Sequence, residues 1–255
     1  MTELTAIVIT KDEGLNLRQC LGSLSGLATE IVVVDSGSSD DTLSIAKEFG
    51  AIISQSSDWL GFGVQKNRAL ALATKDWVLS IDADERLSQE LREEIKEILK
   101  SPSADCYLIP RSSWYCGRFI RHSGWRPDYV ARLFKRGVGS FSSDLVHEKL
   151  EFSCFPRKLK SDLIHMSFKD FSEVLTKVDM YSTYSAEQLY DSGVRGNIFK
   201  AVLHGSWAFF RSYVLRLGFL DGAQGFALAV SNAEGSYYRY VKLWLLGVER
   251  EKHDH

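Results

Sequence analysis

The sequence predicts an α/β protein with a mainly parallel sheet flanked by helices, followed by a helical C-terminal extension. Short apolar, β-branched runs alternate with helix-period stretches over about the first hundred residues, which is typical of strands joined by crossover helices. Residues 31–35 and 77–82 are almost uniformly apolar up to a terminal Asp, as strands buried on both faces are. After residue 168 the pattern becomes helical throughout.

The elements of the first part follow one another as alternating strands and helices. Strands are expected at residues 4–10, 31–35, 51–54 and 76–82. Helices are expected at 16–24, from a cap at Ser38 or Ser39 to 49, at 65–74, and from a cap at Ser88 to the stop at Ser101-Pro102. Short strands should follow from Cys106 to about His165, and helices at roughly 168–190, 197–218 and 225–247.

The composition is that of a globular protein. The chain has 255 residues, 45% hydrophobic and 25% charged, which excludes a collagen, a coiled coil and a mainly disordered protein. We expect two domains, residues 1–165 and 166–255, without a flexible linker, because there are only four prolines and no Ser/Gly-rich tract.

The spacing of the cysteines and the nature of the first residues indicate in which cellular compartment the protein is expected. Four widely spaced cysteines without a C-x-x-C motif predict neither a zinc site nor a disulfide framework. The first residues have no basic region ahead of an apolar run, so we expect a cytoplasmic protein.

Charge is distributed unevenly along the chain. Residues 1–110 contain ten Lys and Arg against eighteen Asp and Glu, whereas residues 111–136 contain seven Lys and Arg against one acid, Asp128. The first part should therefore recruit cations and the middle should attract anions.

The C-terminal part is rich in aromatic residues and arginine but lacks a membrane-spanning pattern. Its longest stretches without charged residues, 201–210 and 222–233, are shorter than the ~18 apolar residues of a spanning helix. Two interpretations stay open for residues 206–220, a helix lying on an anionic membrane surface or a helix that packs in the core.

Acidic residues recur where the predicted strands end. Ligands of open α/β sheets bind at this edge, where loops and helix N-termini meet. We interpret Asp40, Asp41 and Glu85 as helix caps. Asp35, Asp82 and Asp84 are instead predicted to form a site, because gathered carboxylates repel each other unless a cation or hydrogen-bond donors are present.

The Asp82-Ala83-Asp84 triplet is the sharpest of these features. Alternate residues of an extended segment point to one side, so both carboxylates can share one Mg²⁺ or Mn²⁺, with a diphosphate completing its shell. The chain contains neither G-x-x-x-x-G-K-[ST] nor G-x-G-x-x-G, which disfavours an ordinary ATPase or a nicotinamide enzyme. The remaining interpretation is a nucleotide whose base and ribose are held by side chains and whose diphosphate is held by a metal.

Several motifs together resemble a known family. They are TKDE at 10–13, VVVDSGSSDDT at 32–42, GVQKNRAL at 63–70 and IDADE at 81–85. In these the chain resembles glycosyltransferase family 2, which has the GT-A fold. WRPDYVARLF at 125–134, DLVHEKLE at 144–151 and the FLDG…GF tail from 219 are similar to bacterial enzymes that add a hexose, typically glucose, to the heptose of the lipopolysaccharide inner core.

The resemblance implies roles for individual residues. Thr10, Asp12 and Glu13 would line the nucleotide pocket, although relatives often have Asn in place of Asp12, and Asp35 would bind the uracil or ribose of a UDP-sugar. The segment Lys66, Asn67 and Arg68 would approach the donor, and Asp82 and Asp84 would bind donor and metal. From its chemistry, Arg132 is a candidate clamp for the diphosphate, and pairing with an acidic residue is the alternative. His147 and His165 are interpreted as core residues, with metal binding as the alternative.

Family 2 enzymes invert the anomeric carbon, which requires a base that deprotonates the acceptor hydroxyl. Such a base contributes roughly 10² to 10⁴ in rate. Glu148 is the predicted base, because it ends a short strand-like run after the basic segment and matches the family's late acidic position. Asp128 and Asp144 are the rival candidates, and a surface salt bridge is the alternative role for Glu148.

Residues 111–136 interleave arginines with aromatic side chains. Aromatic faces stack on sugars and guanidinium groups bind phosphate, so Trp125, Arg126 and Asp128 are predicted to bind a phosphorylated, lipid-linked saccharide acceptor. The same composition suits single-stranded nucleic acid, but the acidic strand ends would repel a polyanion, and no nucleic acid partner is expected.

Taken together, these features predict a metal-dependent inverting hexosyltransferase that acts at the cytoplasmic face of the inner membrane. Two alternatives remain open. The same donor chemistry would serve a polyprenyl phosphate, capsular or protein acceptor. A non-catalytic module that binds RNA or polysaccharide would instead be indifferent to metal removal.

Overall fold

The computed structural model describes residues 3–142 and 149–253. The chain divides into two compact units. The first contains residues 1–112 and 128–165, and the second contains residues 113–127 and 166–255. The aromatic and arginine-rich segment is thus divided between them.

The helices and strands alternate as the sequence predicts over the first hundred residues. The strands are β1 (Leu4–Thr10), β2 (Glu30–Asp35), β3 (Ile52–Gln55), β4 (Trp77–Ser80), β5 (Glu85–Leu87), β6 (Cys106–Tyr115), β7 (Arg118–Phe119), β8 (Asp128–Lys135), β9 (Gly139–Phe141), β10 (Leu150–Phe152), β11 (Arg157–Lys158) and β12 (Leu163–Phe168). The α-helices are α1 (Gly14–Leu24), α2 (Thr42–Glu48), α3 (Phe62–Leu72), α4 (Gln89–Lys100), α5 (Phe171–Asp191), α6 (Ile198–Phe210) and α7 (Gly222–His253).

The first unit is built on one mixed sheet. Its strand order is β3-β2-β1-β4-β8-β6-β12-β5. Strands β1 to β4 pair in parallel, whereas β8 pairs antiparallel with β4 and β6, and β12 pairs antiparallel with β5. The parallel part brings the ends of β1 and β2 to one edge, with Thr10 opposite Asp35. The predicted α/β fold is confirmed.

Local sequence explains where most of these elements begin and end. Ser88 begins α4 as predicted, because its hydroxyl accepts a hydrogen bond from the Leu91 amide. Helix α2 begins later than predicted: Asp41, and neither Ser38 nor Ser39, occupies the N-cap position, and its side chain makes no capping hydrogen bond. The serines are instead used by the loop after β1, which they bind across the sheet edge.

Apolar side chains fill both faces of the sheet of the first unit. Leu17, Leu21 and Leu24 of α1 are fully buried against it. Cys106 of β6 forms a disulfide with Cys154, at a Cα separation of 6.8 Å. The sequence predicted no disulfide framework, and this single pair was not foreseen. The two residues are 48 positions apart, and the pairing of β11 with β6, which begins at Arg157 and Tyr107, lies close to both cysteines in sequence.

The second unit is mainly helical. Gly205 of α6 lies so close to α7 that an added Cβ would stand 3.1 Å from Tyr237, which fixes the close approach of the two helices. Lys242 of α7 reaches Asp179 of α5 at 2.7 Å. Helix α6 ends earlier than the predicted residue 218, and a π-helical turn (Arg211–Leu215) and a 3₁₀ turn (Gly218–Asp221) follow it.

The end of this helix has a conformational cause. Leu217 adopts a left-handed backbone with φ of 56°, which a continuous helix does not allow. Among the described residues, no helix combines the length and the apolar character needed to cross a bilayer.

Candidate active site

The loops that follow β1 and β2 are bound to each other. The Asp12 amide donates to the Ser38 hydroxyl at 2.8 Å, and the Asp12 carboxylate accepts from the Ser39 amide at 2.7 Å. The next amide, that of Glu13, donates to the Thr42 hydroxyl at 2.8 Å. These bonds cross between the two loops, so they hold the predicted nucleotide residues of both loops at one edge of the sheet.

Asp35 is the buried centre of this edge. Its carboxylate accepts from the amides of Gly37 and Ser38 at 3.0 and 2.9 Å, and from the Thr10 hydroxyl at 3.1 Å. The Ser38 hydroxyl also donates to it. The side chain is fully buried, and these donors explain how a carboxylate is tolerated there. A contact from Asp35 to uracil or ribose stays a prediction.

Asp40 extends the same hydrogen-bonded edge. Its carboxylate accepts from the amides of Gly14 and Thr42 at 2.9 and 3.0 Å. The Thr42 hydroxyl, followed by the Gly14 amide, lowers the pKa of Asp40. Asp40 therefore ties the first turn of α1 to the start of α2.

A second group of side chains lies where β4 ends. We call Lys66, Asp82, Glu85, Arg111, Asp128 and Arg132 the charged cluster. Asp82 Oδ1 lies 2.8 Å from Lys66 Nζ, and Asp82 Oδ2 contacts Arg132 Nη2. Lys66 and Arg132 are almost completely buried, at 3% and 5% exposure. Two buried cations thus meet one partly exposed carboxylate.

Glu85 completes the pairing of Arg132. Its Oε1 accepts from Arg132 Nη2 at 2.7 Å, and its Oε2 accepts from the Asp82 amide at 3.0 Å. Glu85 lies in β5 and is fully buried, so its interpretation as a helix cap was wrong. A residue directly after D-A-D was not recognised as part of the site, because its partner Arg132 is 47 positions away.

Electrostatics fixes the ionisation of this cluster. Burial tends to raise the pKa of Asp82, but the charges of Arg132 and Lys66 outweigh it and hold that pKa well below its usual range. Burial conversely tends to lower the pKa of Arg132, and the carboxylates of Asp82 and Glu85 raise it instead. Asp82 and Arg132 therefore stay charged near neutral pH.

Arg111 and Asp128 form the outer part of the cluster. Arg111 donates through Nε and Nη2 to Asp128 Oδ2, at 2.8 and 2.7 Å. Arg111 Nη1 lies 3.6 Å from the Glu85 carboxylate. Asp128, a rival candidate for the base and a predicted acceptor ligand, therefore contacts a guanidinium group. Arg111 was not among the predicted site residues.

Asp84 and His165 form a neighbouring pair. Residues 83 and 84 lie in a turn, and β4 ends at Ser80, earlier than predicted. Asp84 Oδ2 lies 3.3 Å from His165 Nε2, and both side chains are partly exposed. Because Asp82 contacts two cations instead, a metal shared by Asp82 and Asp84 stays a prediction.

The described residues contain no group of three or more His, Cys, Asp or Glu that could hold a metal ion. A carboxylate and an imidazole nevertheless fit a Mg²⁺ or Mn²⁺ whose other ligands come from a diphosphate and water. Asp84 and His165 are thus the side chains that suit this role in the described chain.

Two residues of the GVQKNRAL motif point to other parts of the fold. Asn67 exchanges hydrogen bonds with the backbone of Phe141, at 2.8 and 2.9 Å, and so fixes α3 to β9. Arg68 pairs with Asp58 at 2.7 Å. The structure therefore brings Lys66 into the charged cluster and places Arg68 in a separate ion pair, so a donor contact from Arg68 stays a prediction.

The remaining predicted residues fall outside the first unit or outside the described residues. Trp125 and Arg126 belong to the second unit, where Trp125 stacks on Phe168 with ring centroids 6.2 Å apart. The predicted base Glu148, its rival Asp144, and His147 lie outside the residues that the structure describes.

A comparison with known families gives a direct result. Residues 5–168 match the family model of glycosyl transferase family 2. The chain belongs to glycosyltransferase family 2. The matched range contains every described residue of the charged cluster, together with Asp35 and the Asp84–His165 pair.

Relatives extend this similarity to the C-terminal helices. A Rickettsia felis protein named an uncharacterized glycosyltransferase is 31% identical over 259 residues, covering 95% of this chain and 90% of that protein. The lipopolysaccharide core biosynthesis glycosyltransferase LpsC of Rhizobium meliloti is 30% identical over 249 residues, covering 94% of this chain and 92% of LpsC. This family 2 chain is therefore a glycosyltransferase.

Solved structures support the fold. The structure of S. aureus TarS residues 1–349 in complex with UDP-GlcNAc matches with a TM-score of 0.51 and 15% identity, covering 98% of this chain and 92% of that one. The predicted GT-A fold is confirmed by this likeness.

Proposed function

We propose that this glycosyltransferase transfers a hexose from a UDP-sugar to a heptose of the lipopolysaccharide inner core, with inversion of the anomeric carbon. The similarity to LpsC carries the proposal, because LpsC is named for lipopolysaccharide core biosynthesis and the match covers 94% of this chain. This match extends over the second unit, whereas the family model covers only residues 5–168.

The donor proposal rests on the sheet edge of the first unit. Asp35 and Thr10 would position the uracil or ribose, with Asp12 and Glu13 on the neighbouring loop. A uridine donor is in keeping with TarS, whose structures in complex with UDP-GlcNAc and UDP have been solved. The buried cations Lys66 and Arg132 would oppose the negative charge that develops on the leaving diphosphate.

Asp84 and His165 would hold a divalent cation, Mg²⁺ or Mn²⁺, next to this diphosphate. The cation would neutralise the charge of the leaving group. Among the residues of the chain, Asp82 holds Lys66 in place and keeps Arg132 charged. Glu148 would take the proton of the acceptor hydroxyl.

The acceptor is anchored in a membrane, and the second unit has a surface that suits contact with one. Residues 198–220 contain Lys200, Arg211 and Arg216 and no acid. Many of their large apolar side chains are exposed, and Phe199 is 74% exposed. We propose that this surface docks on the anionic cytoplasmic face of the inner membrane.

Vesicle co-sedimentation tests the docking proposal. The double variant Phe199→Ser/Leu203→Ser should bind phosphatidylglycerol vesicles more weakly than wild type. Leu175→Ser, which changes an exposed leucine of α5, should bind like wild type. Equal binding of all three proteins, or no preference over phosphatidylcholine, would contradict docking through residues 198–220.

An acceptor panel tests the reaction. We expect UDP release from one UDP-hexose to rise when a heptose-terminated inner core is added, and not when polyprenyl phosphate is added. A polyprenyl phosphate is already a nucleophile and needs no hydroxyl base. If it were the acceptor, Glu148→Gln would therefore leave turnover intact. Stimulation by polyprenyl phosphate alone would overturn the proposed acceptor.

A further inference from the structure

The second unit contains a partly open polar cavity of about 590 Å³, and the predicted acceptor ligand Trp125 lies in its wall. It is lined by the loop 123–125, by α6, by the π-helical turn and by α7. The lining includes three arginines, Arg211, Arg216 and Arg239, and no acidic residue.

The three arginines are not neutralised within the described part of the chain. The side chains of Arg211, Arg216 and Arg239 make no hydrogen bond or ion pair to another described residue, while Arg239 lies over the ring of Tyr240 at 5.9 Å. Guanidinium groups that converge on a cavity without a carboxylate are suited to an anion, which they bind by charge-assisted hydrogen bonds.

The backbone is shaped to bring one of these arginines in. Gly124 has a φ of 83°, and an added Cβ would lie 2.1 Å from Nη1 of Arg216. The Ser123 amide donates to the Arg216 carbonyl at 2.8 Å. Arg216 therefore approaches the 123–125 loop at a point where only glycine leaves room.

Asp221 holds the two residues that precede this loop. Its buried carboxylate accepts from the amides of Arg121 and His122, at 3.1 and 2.8 Å. Asp221 belongs to the FLDG…GF tail. In the same tail, an added Cβ on Gly225 would lie 1.9 Å from the Gly218 carbonyl oxygen. The tail does not itself line the cavity, but through Asp221 it holds the backbone just before the 123–125 loop, which does.

Aromatic rings supply the remaining walls. His204 stacks on Tyr240 with centroids 4.1 Å apart and an angle of 8°. Trp125 and Trp207 also line the cavity. Aromatic faces beside cations are suited to a sugar that carries an anionic group, and the volume fits a ligand of one or two sugar rings.

We infer that this cavity binds a phosphorylated saccharide, with Arg211, Arg216 and Arg239 on the phosphate and the aromatic rings against the sugar. Identifying this ligand as part of the acceptor rests on the proposed function, whereas the cavity and its charge do not. The phosphate is a monoester or diester on a sugar; a phospholipid headgroup is the other source of the same chemistry.

Calorimetric titration tests the inference without requiring turnover. Glucose 6-phosphate is the probe, glucose and inorganic phosphate are its two halves, and UDP is present in excess to fill the donor site. Glucose 6-phosphate should bind wild type more tightly than either half does. The variant Arg211→Gln/Arg216→Gln should bind it about tenfold or more weakly, because two charged hydrogen-bond donors are lost.

Arg250→Gln is the matched control. Arg250 lies on α7 and contacts the ring of Tyr190 at 4.7 Å, away from the cavity lining, so this variant should bind glucose 6-phosphate like wild type. Equal melting temperatures of the variants would show that folding is intact.

The outcomes separate this inference from the proposed function. The inference would be overturned if wild type did not bind glucose 6-phosphate, or if the double variant bound it as tightly as wild type. It would also be overturned if wild type bound glucose as tightly as glucose 6-phosphate. A double variant that no longer bound phosphatidylglycerol vesicles but still bound glucose 6-phosphate would also overturn it, since the ligand would then be a lipid headgroup. A protein that binds glucose 6-phosphate through these arginines but transfers no hexose would instead refute the proposed function alone.

Discussion

The Nε2 atom of His165 lies 3.3 Å from the Oδ2 atom of Asp84. The antiparallel pairing of β12 with β5 sets this contact, because it places His165 opposite Glu85, the residue after Asp84. The family motif identifies Asp84 from local sequence, whereas the imidazole arrives from a strand about eighty residues later. The pair is therefore a product of the fold.

We expect Mn²⁺ with UDP to raise the melting temperature of wild type by about 5 °C or more at saturating concentrations. Asp84→Asn and His165→Gln should lose most of the metal-dependent part of this increase, because each removes one proposed ligand. Thermal-shift measurements with and without EDTA check this. Asp191→Asn, which changes an exposed aspartate of α5, should respond like wild type. An unchanged metal response in Asp84→Asn would remove the proposed metal site.

Asp82→Asn should destabilise the first unit at neutral pH by about 3 kcal/mol, because Lys66 and Arg132 stay buried without their shared carboxylate. The pKa of Asp82 is lower in the folded chain than in the unfolded chain. Its stabilising effect is therefore full above the unfolded value of about 3.9 and is lost as the pH falls towards the folded value.

Urea unfolding of wild type and Asp82→Asn between pH 7 and pH 3 measures this effect. The difference in the free energy of unfolding should be constant down to about pH 4 and shrink below it. A difference that grows on acidification would contradict the assigned ionisation of Asp82.

Glu148→Gln should lower kcat by roughly 10² to 10⁴ while UDP binding is unchanged, because a glutamine cannot accept the acceptor proton. Asp144→Asn and Asp128→Asn are the comparisons. Asp128→Asn should act mainly on stability, since Asp128 holds Arg111. Steady-state kinetics with UDP titrations distinguishes the three. If Asp144→Asn gave the large loss of kcat and Glu148→Gln did not, the base would be misassigned.

Patterns of apolar residues predicted much of the fold. The run Leu4–Thr10 is a strand with the predicted bounds, because its β-branched residues are buried on both faces. The Ser88 cap was also predictable, since a cap depends on residues three positions apart. Local sequence therefore predicts the elements well in the first hundred residues.

The charged cluster shows why the site was only partly predictable. Asp82 was identified by its motif, but its partners Lys66 and Arg132 come from a helix and from an antiparallel strand. Glu85 looked like a cap because burial of a glutamate is improbable without a paired cation, and no local pattern reveals that pairing. Strand order, which long-range pairing determines, was the missing information.

Asp221→Asn should destabilise the second unit by about 1–3 kcal/mol, because one carboxylate oxygen that accepts buried amides becomes a donor. Hydrogen exchange should accelerate at the amides of Arg121 and His122. Asp191→Asn changes an exposed aspartate and should leave both measurements unchanged. Unchanged exchange at residues 121 and 122 would show that Asp221 does not hold the backbone of these two residues.

The most direct test of the central claim is hexose transfer to a purified, heptose-terminated lipopolysaccharide core, followed by mass spectrometry. With one UDP-hexose and Mn²⁺, wild type should increase the core mass by one hexose, and Asp84→Asn should abolish the increase. If folded wild type gave no mass increase with any UDP-hexose, while another nucleotide sugar or another acceptor gave product, the account of donor and acceptor would be wrong.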